Sequence, residues 1–260
     1  APAGYYFSHE SNDSFIAINR LVAAGEDVSW MATGPLGVGT FFVAHKSSTR
    51  DALTKIAADL GVNFDTAMAP PTGKMSKLRK LRIGLFDTYS GGMPVGWTRL
   101  LFENFEFPYE VVYPPMLDAG DLRAKYDVLV FNDAGLTGAA EGAGRGGPGA
   151  GGGGRGGGGG RGGGAGAQRD PRDDRGPSMP YAPALAGQRG TFSPKSLEAV
   201  KAFVQAGGTV IAIGAAAQAA VGSFQLPLKN HVAVGREEFF VPGSVLTVSV
   251  DPSVPVAHGY

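Results

Sequence analysis

The stretch best suited to display a reactive group is Gly207 to Val221, GGTVIAIGAAAQAAV. It reads as a buried strand, a tight elbow at Gly214 and the start of a helix, the arrangement that holds a nucleophile at the carboxyl end of a strand in α/β proteins. The elbow, where a nucleophile would be displayed, is filled by Ala215, Ala216 and Ala217, so the scaffold of a site is present without its chemistry. The absence of cysteine removes thiol nucleophiles, disulfides, thiolate zinc sites and iron–sulfur clusters. No Gly-x-Ser-x-Gly occurs, and His9, His45, His231 and His258 form no HxxE, HExxH or HxH pair. A hydrolytic zinc site needs at least one such close pair to fix its geometry, so catalytic, cofactor and metal positions are all expected to be empty in this chain. The enzymatic alternative left is Asp87 or Asp133 as a general base without a nucleophile.

A cleft is a different matter. Asp87-Thr88-Tyr89-Ser90-Gly91-Gly92 leaves one strand and opens a helix, and Asn132-Asp133 ends another. Hydroxyls and backbone N–H groups placed there line the crevice where open α/β sheets take ligands. Thr88, Ser90, Asn132 and Asp133 are therefore the candidate ligand-binding residues, although the same types also serve plain turns and caps. A Gly-x-Gly-x-x-Gly match at Gly142, Gly144 and Gly147 sits inside a glycine tract, follows no strand and opens no helix, so it carries no dinucleotide reading.

The elements that must position these residues fall into two groups. In the first, Tyr5 to Ser8, Val28 to Met31 and Thr40 to Ala44 read as strands. A helix capped by Asn12 or Asp13 turns Phe15, Ile18, Leu21 and Val22 to one face and stops at Gly25. Ser48-Thr49-Arg50-Asp51 has capping-box spacing, and Leu53, Ile56 and Leu60 continue at helical period to Gly61. This is a small β-α-β-β-α segment over 1–69. Residues 70–80, PTGKMSKLRK after Pro70, read as a polar, basic linker.

From Leu81 the pattern changes. LRIGLFD, YEVVYP and DVLVFND are continuous apolar strands, and Trp97, Leu100, Leu101 and Phe105 form the buried face of a helix between the first two. Leu122 to Tyr126 is a short helical turn. Ser193 caps a helix with Pro194 at its first position and Leu197, Val200, Phe203 and Val204 inward, and Gly207-Gly208 leads into the elbow strand. A helix from Gln218 follows, and Ser244 to Val250 alternates as a late strand. Continuous rather than alternating runs separated by helices require a parallel sheet covered on both faces. The expectation for 81–260 is thus an α/β, doubly wound domain with helices on both faces.

This domain is interrupted at about 136–190 by a tract of Gly, Arg, Pro and Ala too poor in apolar area to offset its chain entropy, so it is expected to be a disordered insertion. Arg-Gly-Gly steps at Arg145, Arg155 and Arg161 lack any aromatic to stack on a base before Tyr181. With 23 Lys plus Arg against 23 Asp plus Glu the chain carries no field to gather nucleic acid or anionic lipid, and no run approaches the length of a membrane span. Neither nucleic acid nor a membrane span is expected. The lack of an initiator Met and the ending VPVAHGY read as a piece of a longer polypeptide.

RIGLFDTYSGG, GWTRLLFENFEFPYEVV, LRAKYDVLVFNDAG and LEAVKAFVQAGGTVIAIG together resemble the class I glutamine amidotransferase-like fold, a flavodoxin-like parallel sheet. Active members carry Gly-x-Cys-x-Gly after the fourth strand and a later His–Glu pair; here the matching region is Gly214-Ala215-Ala216-Ala217-Gln218, which rules out glutaminase chemistry. NDSFIAINRLVAAGEDVSW, YDVLVFNDAG and EEFFVPGSVLTVSVDPSVPVAHGY, in that order, are similar to the carboxyl-terminal region of secreted bacterial zinc carboxypeptidase-like proteins of the metallocarboxypeptidase A type. That resemblance implies an extracellular or periplasmic protein whose zinc and catalytic glutamate lie in an upstream peptidase domain, the expected partner of this region. It further implies a noncatalytic accessory role in packing, substrate access or recognition, with peptide or polysaccharide as candidate ligands. The alternative is a small-molecule or sugar-binding α/β module using the cleft at the strand ends.

Overall fold

Short apolar strands need partners, and the described residues supply them as two main sheets and a small hairpin. The computed structural model describes residues 1–136, 183–231, 234–235, 237–241, 245–251, 254 and 257. The glycine–arginine tract expected to be disordered falls chiefly on 137–182, outside the described residues. Its expected bounds are wider than that. Leu136 is fully buried in the core, and Pro183–Gln188 forms a short 3-10 helix.

The first group comprises β1 (Gly4–Phe7), α1 (Asp13–Ala23), β2 (Val28–Met31), β3 (Thr33–Gly34), β4 (Gly37–Val38), β5 (Phe41–Ala44), α2 (Thr49–Leu60), β6 (Asp65–Ala67) and β7 (Met75–Lys77). β3 and β4 make a small hairpin, and the others form an antiparallel sheet in the order β6-β1-β5-β2-β7. β7 comes from the segment expected to be a linker. Its backbone pairs with Ser29 to Met31, so pairing of polar residues along an edge, invisible to hydrophobic pattern, decides this element. Phe7, Leu21, Val28, Phe41, Val43, Leu53 and Ile56 fill one core between the sheet and the two helices. α1 turns Ser14, Ala17 and Leu21 fully inward, with Phe15, Ile18 and Val22 half-covered at the margin of the expected face.

α2 ends as its glycine requires, Gly61 adopting φ +70° at the cap. Its start differs from the capping-box expectation. Ser48 stands at the N-cap but its hydroxyl donates to Glu26 Oε1 at 2.5 Å, and Thr49 Oγ1 donates to Glu26 Oε2 at 2.5 Å. Glu26 is buried, and hydrogen bonds to a charged group are worth about 1.5–3 kcal/mol each way they are broken. Glu26→Ala is therefore expected to cost about 2 kcal/mol of stability, read as a lower urea midpoint; an unchanged midpoint would show that these hydroxyls do not need the carboxylate.

The second group comprises β8 (Ile83–Phe86), α3 (Met93–Asn104), β9 (Tyr109–Val112), α4 (Pro114–Asp118), α5 (Leu122–Lys125), β10 (Val128–Asn132), α6 (Pro194–Gln205), β11 (Thr209–Ile213) and α7 (Ala215–Ser223). Its strands form a parallel sheet in the order β11-β10-β8-β9. The fold is mixed α/β, with helices on both faces of this sheet. On one face α3 packs Val95 and Phe102 over Ile83, Leu85 and Val130. On the other, Phe86, Leu129 and Phe131 meet Leu117, Leu122, Val200, Phe203 and the alanines of α7. α6 is capped as expected, Ser193 Oγ accepting from the Ser196 N–H at 3.0 Å, although Val204 lies exposed rather than inward.

The two groups touch through α1. Asn19 Nδ2 donates to the Phe105 carbonyl at 2.7 Å, and Arg20 bridges Glu106 at 2.8 Å and Asp59 at 3.1 Å.

Two further sequence expectations fail. The face of α3 expected to be buried is turned out: Trp97 is 65 % exposed and Leu100 and Leu101 are exposed, while Phe105 is half-buried. Polar anchors set that rotation. Asn132 Nδ2 donates to the Pro94 carbonyl at 3.1 Å and to Thr98 Oγ1 at 2.8 Å, and Arg99 pairs with Asp87 at 2.6 Å, so the 94-98-99-102 side faces the strands. The late strand expected over Ser244 to Val250 is also not formed among its described residues. Residues 245–250 lie exposed and pair with nothing as a ladder.

Candidate functional site

In the parallel sheet β8 precedes both neighbours, β9 on one side and β10 on the other, so strand order reverses between β8 and β10. The crevice at the carboxyl ends of these two strands is the switch point at which such sheets bind ligands. All four candidate residues lie at this end, Thr88 and Ser90 after β8, and Asn132 and Asp133 at the end of β10. The structure nonetheless gives them different partners.

Asn132 points its amide into α3, where both of its N–H bonds are used in positioning the helix. Thr88 and Ser90 meet each other, their hydroxyl oxygens 3.3 Å apart, with Ser90 exposed and Thr88 half-buried. Between them and the strand lies Asp87, which the sequence offered as a general base. It is buried, accepts from the Thr88 N–H at 2.8 Å and from Arg99 Nη2 at 2.6 Å, and so serves as an anchor for the first turn after β8. Arg99 was missed by the sequence reading; its position six residues past the helix start at Met93, on the face opposite Trp97 and Leu101, becomes meaningful only once the helix rotation is fixed.

Asp133 and Gly214 form the most specific arrangement at this end. Asp133 takes a positive φ of +58°, and its Oδ1 accepts the Ala215 N–H at 2.8 Å, capping the amino terminus of α7. Gly214 has φ +62° and ψ −130°, a combination open to glycine and strained for other residues. A nucleophile elbow displays its reactive side chain on such a strained strand-to-helix turn. The displaying position is therefore Gly214 itself, and not Ala215 to Ala217 as the sequence suggested. A side chain there would begin 1.8 Å from Asp133 Oδ1, so the volume a nucleophile would occupy is filled by the Asp133 carboxylate. α7 also begins at Ala215, three residues before the expected Gln218, because this carboxylate supplies its cap.

No group of three or more His, Asp or Glu side chains arranged to hold a metal ion occurs among the described residues. The zinc implied by the carboxypeptidase resemblance has no ligand set in them. Among the described residues no helix is long and apolar enough to cross a membrane.

The site thus defines an α/β protein with an elbow at the end of β11 and no nucleophile on it. Comparisons with protein-family models, with curated proteins and with solved structures found no match.

Proposed function

We propose that this chain is a noncatalytic α/β region, an amidotransferase-like, flavodoxin-like domain preceded by a small α/β segment, acting as the accessory part of a secreted zinc carboxypeptidase-like polypeptide. The observation that carries the noncatalytic part is the elbow: glycine stands at the displaying position and the Asp133 carboxylate fills the space of a reactive group. The cleft residues point the same way. Asp87, Asn132 and Asp133 spend their polar atoms on Arg99, on α3 and on α7, holding the fold in register rather than facing a substrate.

The accessory part is supported by the outer face of α3. Met93, Trp97, Leu100 and Leu101 follow helical spacing and are all exposed, an apolar stripe of the kind that marks a protein contact surface. Packing against a peptidase domain would cover it. In a polypeptide joining this chain to a zinc carboxypeptidase domain, Trp97→Asp is expected to separate the melting transitions of the two parts. Transitions that stay coupled would remove the packing role.

The chain by itself is expected to hydrolyse neither peptides nor glutamine, with or without added zinc. Turnover above background that is lost in Asp87→Asn or Asp133→Asn would overturn the noncatalytic reading. The exposed Ser90 hydroxyl, with Thr88 beside it at the switch point, favours sugar or small-metabolite binding as the second reading. A ligand at one hundred times its dissociation constant stabilises by about 2.7 kcal/mol, so a thermal shift with a sugar or peptide that Ser90→Ala abolishes would establish it.

A further inference from the structure

The run 71–82, PTGKMSKLRKLR, carries Lys74, Lys77, Arg79, Lys80 and Arg82 and no acidic residue. Its first part forms β7 on the edge of the antiparallel sheet, the Leu78 N–H donates to the Val28 carbonyl at 2.8 Å, and Arg82 stands immediately before β8. The basic side chains therefore run along the seam from one unit to the other. α5 widens this stripe, because the Arg82 guanidinium donates to the Ala124 carbonyl and, at 3.2 Å, to the Arg123 carbonyl, which sets Arg123 and Lys125 beside it.

Carboxylates are scarce along it. Asp27 takes Lys77 at 2.5 Å and Lys46 at 3.0 Å, and Asp127 alone serves Arg79 at 3.3 Å, Arg82 at 3.0 Å and Arg123 at 2.7 Å. Asp121 and Glu110, on the elements beside it, do not cancel the rest, and Glu110 already accepts from the Tyr126 hydroxyl at 2.8 Å. Lys74, Lys80 and Lys125 are exposed and pair with no carboxylate among the described residues. A chain that is neutral overall thus gathers a positive excess on one seam.

Asp127 already displays the chemistry this surface takes. Arg79 and Arg123 each give it a single Nη1, so the remaining N–H groups of both planar forks suit a second carboxylate. The run 71–82 contains no aromatic residue, and Tyr126 beside it is buried with its hydroxyl on Glu110, so no ring is offered to stack on a base. The nine residues from Lys74 to Arg82 reach up to about 30 Å, a length that fits several units of an extended polymer better than one small anion.

We propose that this seam binds a carboxylate-bearing polysaccharide laid across the two units, with Arg79 and Arg123 taking carboxylates and Lys74, Lys80 and Lys125 supplying unpaired charge. The choice of a polysaccharide among polyanions rests on the extracellular accessory role proposed above; the cationic surface itself does not. The test is calorimetric binding of the full chain to polygalacturonate, with dextran as the uncharged control. Binding to polygalacturonate alone is expected at about 50 mM salt, weakening at least about tenfold by about 0.3 M. Lys80→Glu with Lys125→Glu, at exposed positions without ion pairs, is expected to lose at least about tenfold in affinity at an unchanged melting temperature. Lys55→Glu with Lys195→Glu makes the same change of net charge on α2 and α6 and is expected to stay within about threefold of the unaltered chain. Equal losses in the two double variants would overturn the inference by assigning the effect to net charge, as would absence of binding at the lower salt. Tighter binding of polyglutamate, duplex DNA or phosphatidylglycerol vesicles than of polygalacturonate would also overturn it, by giving the surface to an acidic peptide, a nucleic acid or a lipid. None of these results bears on the coupled melting that tests the accessory role.

Discussion

Gly214→Ala is expected to destabilise this chain by about 3 kcal/mol, one of the two largest single-residue effects the fold supports. Two costs combine. At φ +62° and ψ −130° any residue with a Cβ pays backbone strain of about 1–3 kcal/mol, and its Cβ would start 1.8 Å from Asp133 Oδ1, inside any real contact distance. The carboxylate must then leave, and with it the hydrogen bond to Ala215 that caps α7. Removing the obstacle should separate the two costs. Asp133→Gly alone is expected to be near neutral, because losing a cap worth about 1 kcal/mol is offset by relief of the positive φ at Asp133. In the double variant Gly214→Ala with Asp133→Gly, about 1–2 kcal/mol should be recovered, leaving the strain. Urea denaturation of the four proteins measures this coupling; strictly additive effects would mean that Asp133 does not occupy the elbow.

That relation shows where sequence reading reaches its limit in this protein. The two central parallel strands were legible because each is buried on both faces and so reads as an unbroken apolar run, IGLF in β8 and VLVF in β10. The elbow was legible because a strand running into Gly and a helix-forming alanine run is a local signal. The identity of the displaying residue was not, since it depends on backbone angles and on a carboxylate 81 residues away in sequence. α3 failed for a related reason. Trp97, Leu100 and Leu101 carry the larger apolar side chains, but Asn132 and Asp87, both outside the helix, fix its rotation through Thr98 and Arg99 and turn those side chains to solvent. β7 escaped notice because an edge strand of Met-Ser-Lys is held by ladder bonds and by Lys77 pairing with Asp27, and not by burial. In each case a long-range polar contact outweighed the local hydrophobic pattern.

The same logic makes Asp127 the second position of large effect, at the end of the sheet away from the elbow. It sits immediately before β10 and is buried, yet four groups converge on it: the Arg82 N–H at 3.1 Å, the Arg82 guanidinium at 3.0 Å, Arg123 at 2.7 Å and Arg79 at 3.3 Å. Its own backbone N–H donates to the Arg82 carbonyl and its carbonyl accepts from Thr209, so one residue ties the starts of β8, β10 and β11. Asp127→Ala would leave the Arg82 N–H without its acceptor and three guanidinium groups without their counter-charge. Because the arginines are partly solvated and can rehydrate, the expected loss is about 3 kcal/mol and not the upper end for a broken buried pair. The pH dependence gives a stricter check. Hydrogen bonds from the Arg82 side chain hold the carboxyl well below the usual carboxylate range, helped by the Arg82 N–H, by Arg123 and by the charge of Arg79, while burial pushes the other way. A depressed folded-state pKa means that the unfolded chain takes up the proton first. The stabilisation is then complete above the unfolded carboxylate value near 3.9 and is lost progressively as pH falls below it. The stability gap between the unaltered chain and Asp127→Ala should be constant from about pH 7 to pH 5 and should shrink between about pH 4 and pH 2. A gap that stays the same across that acid range would show that the arginine cluster contributes through packing of its side-chain stems and not through the charge of Asp127.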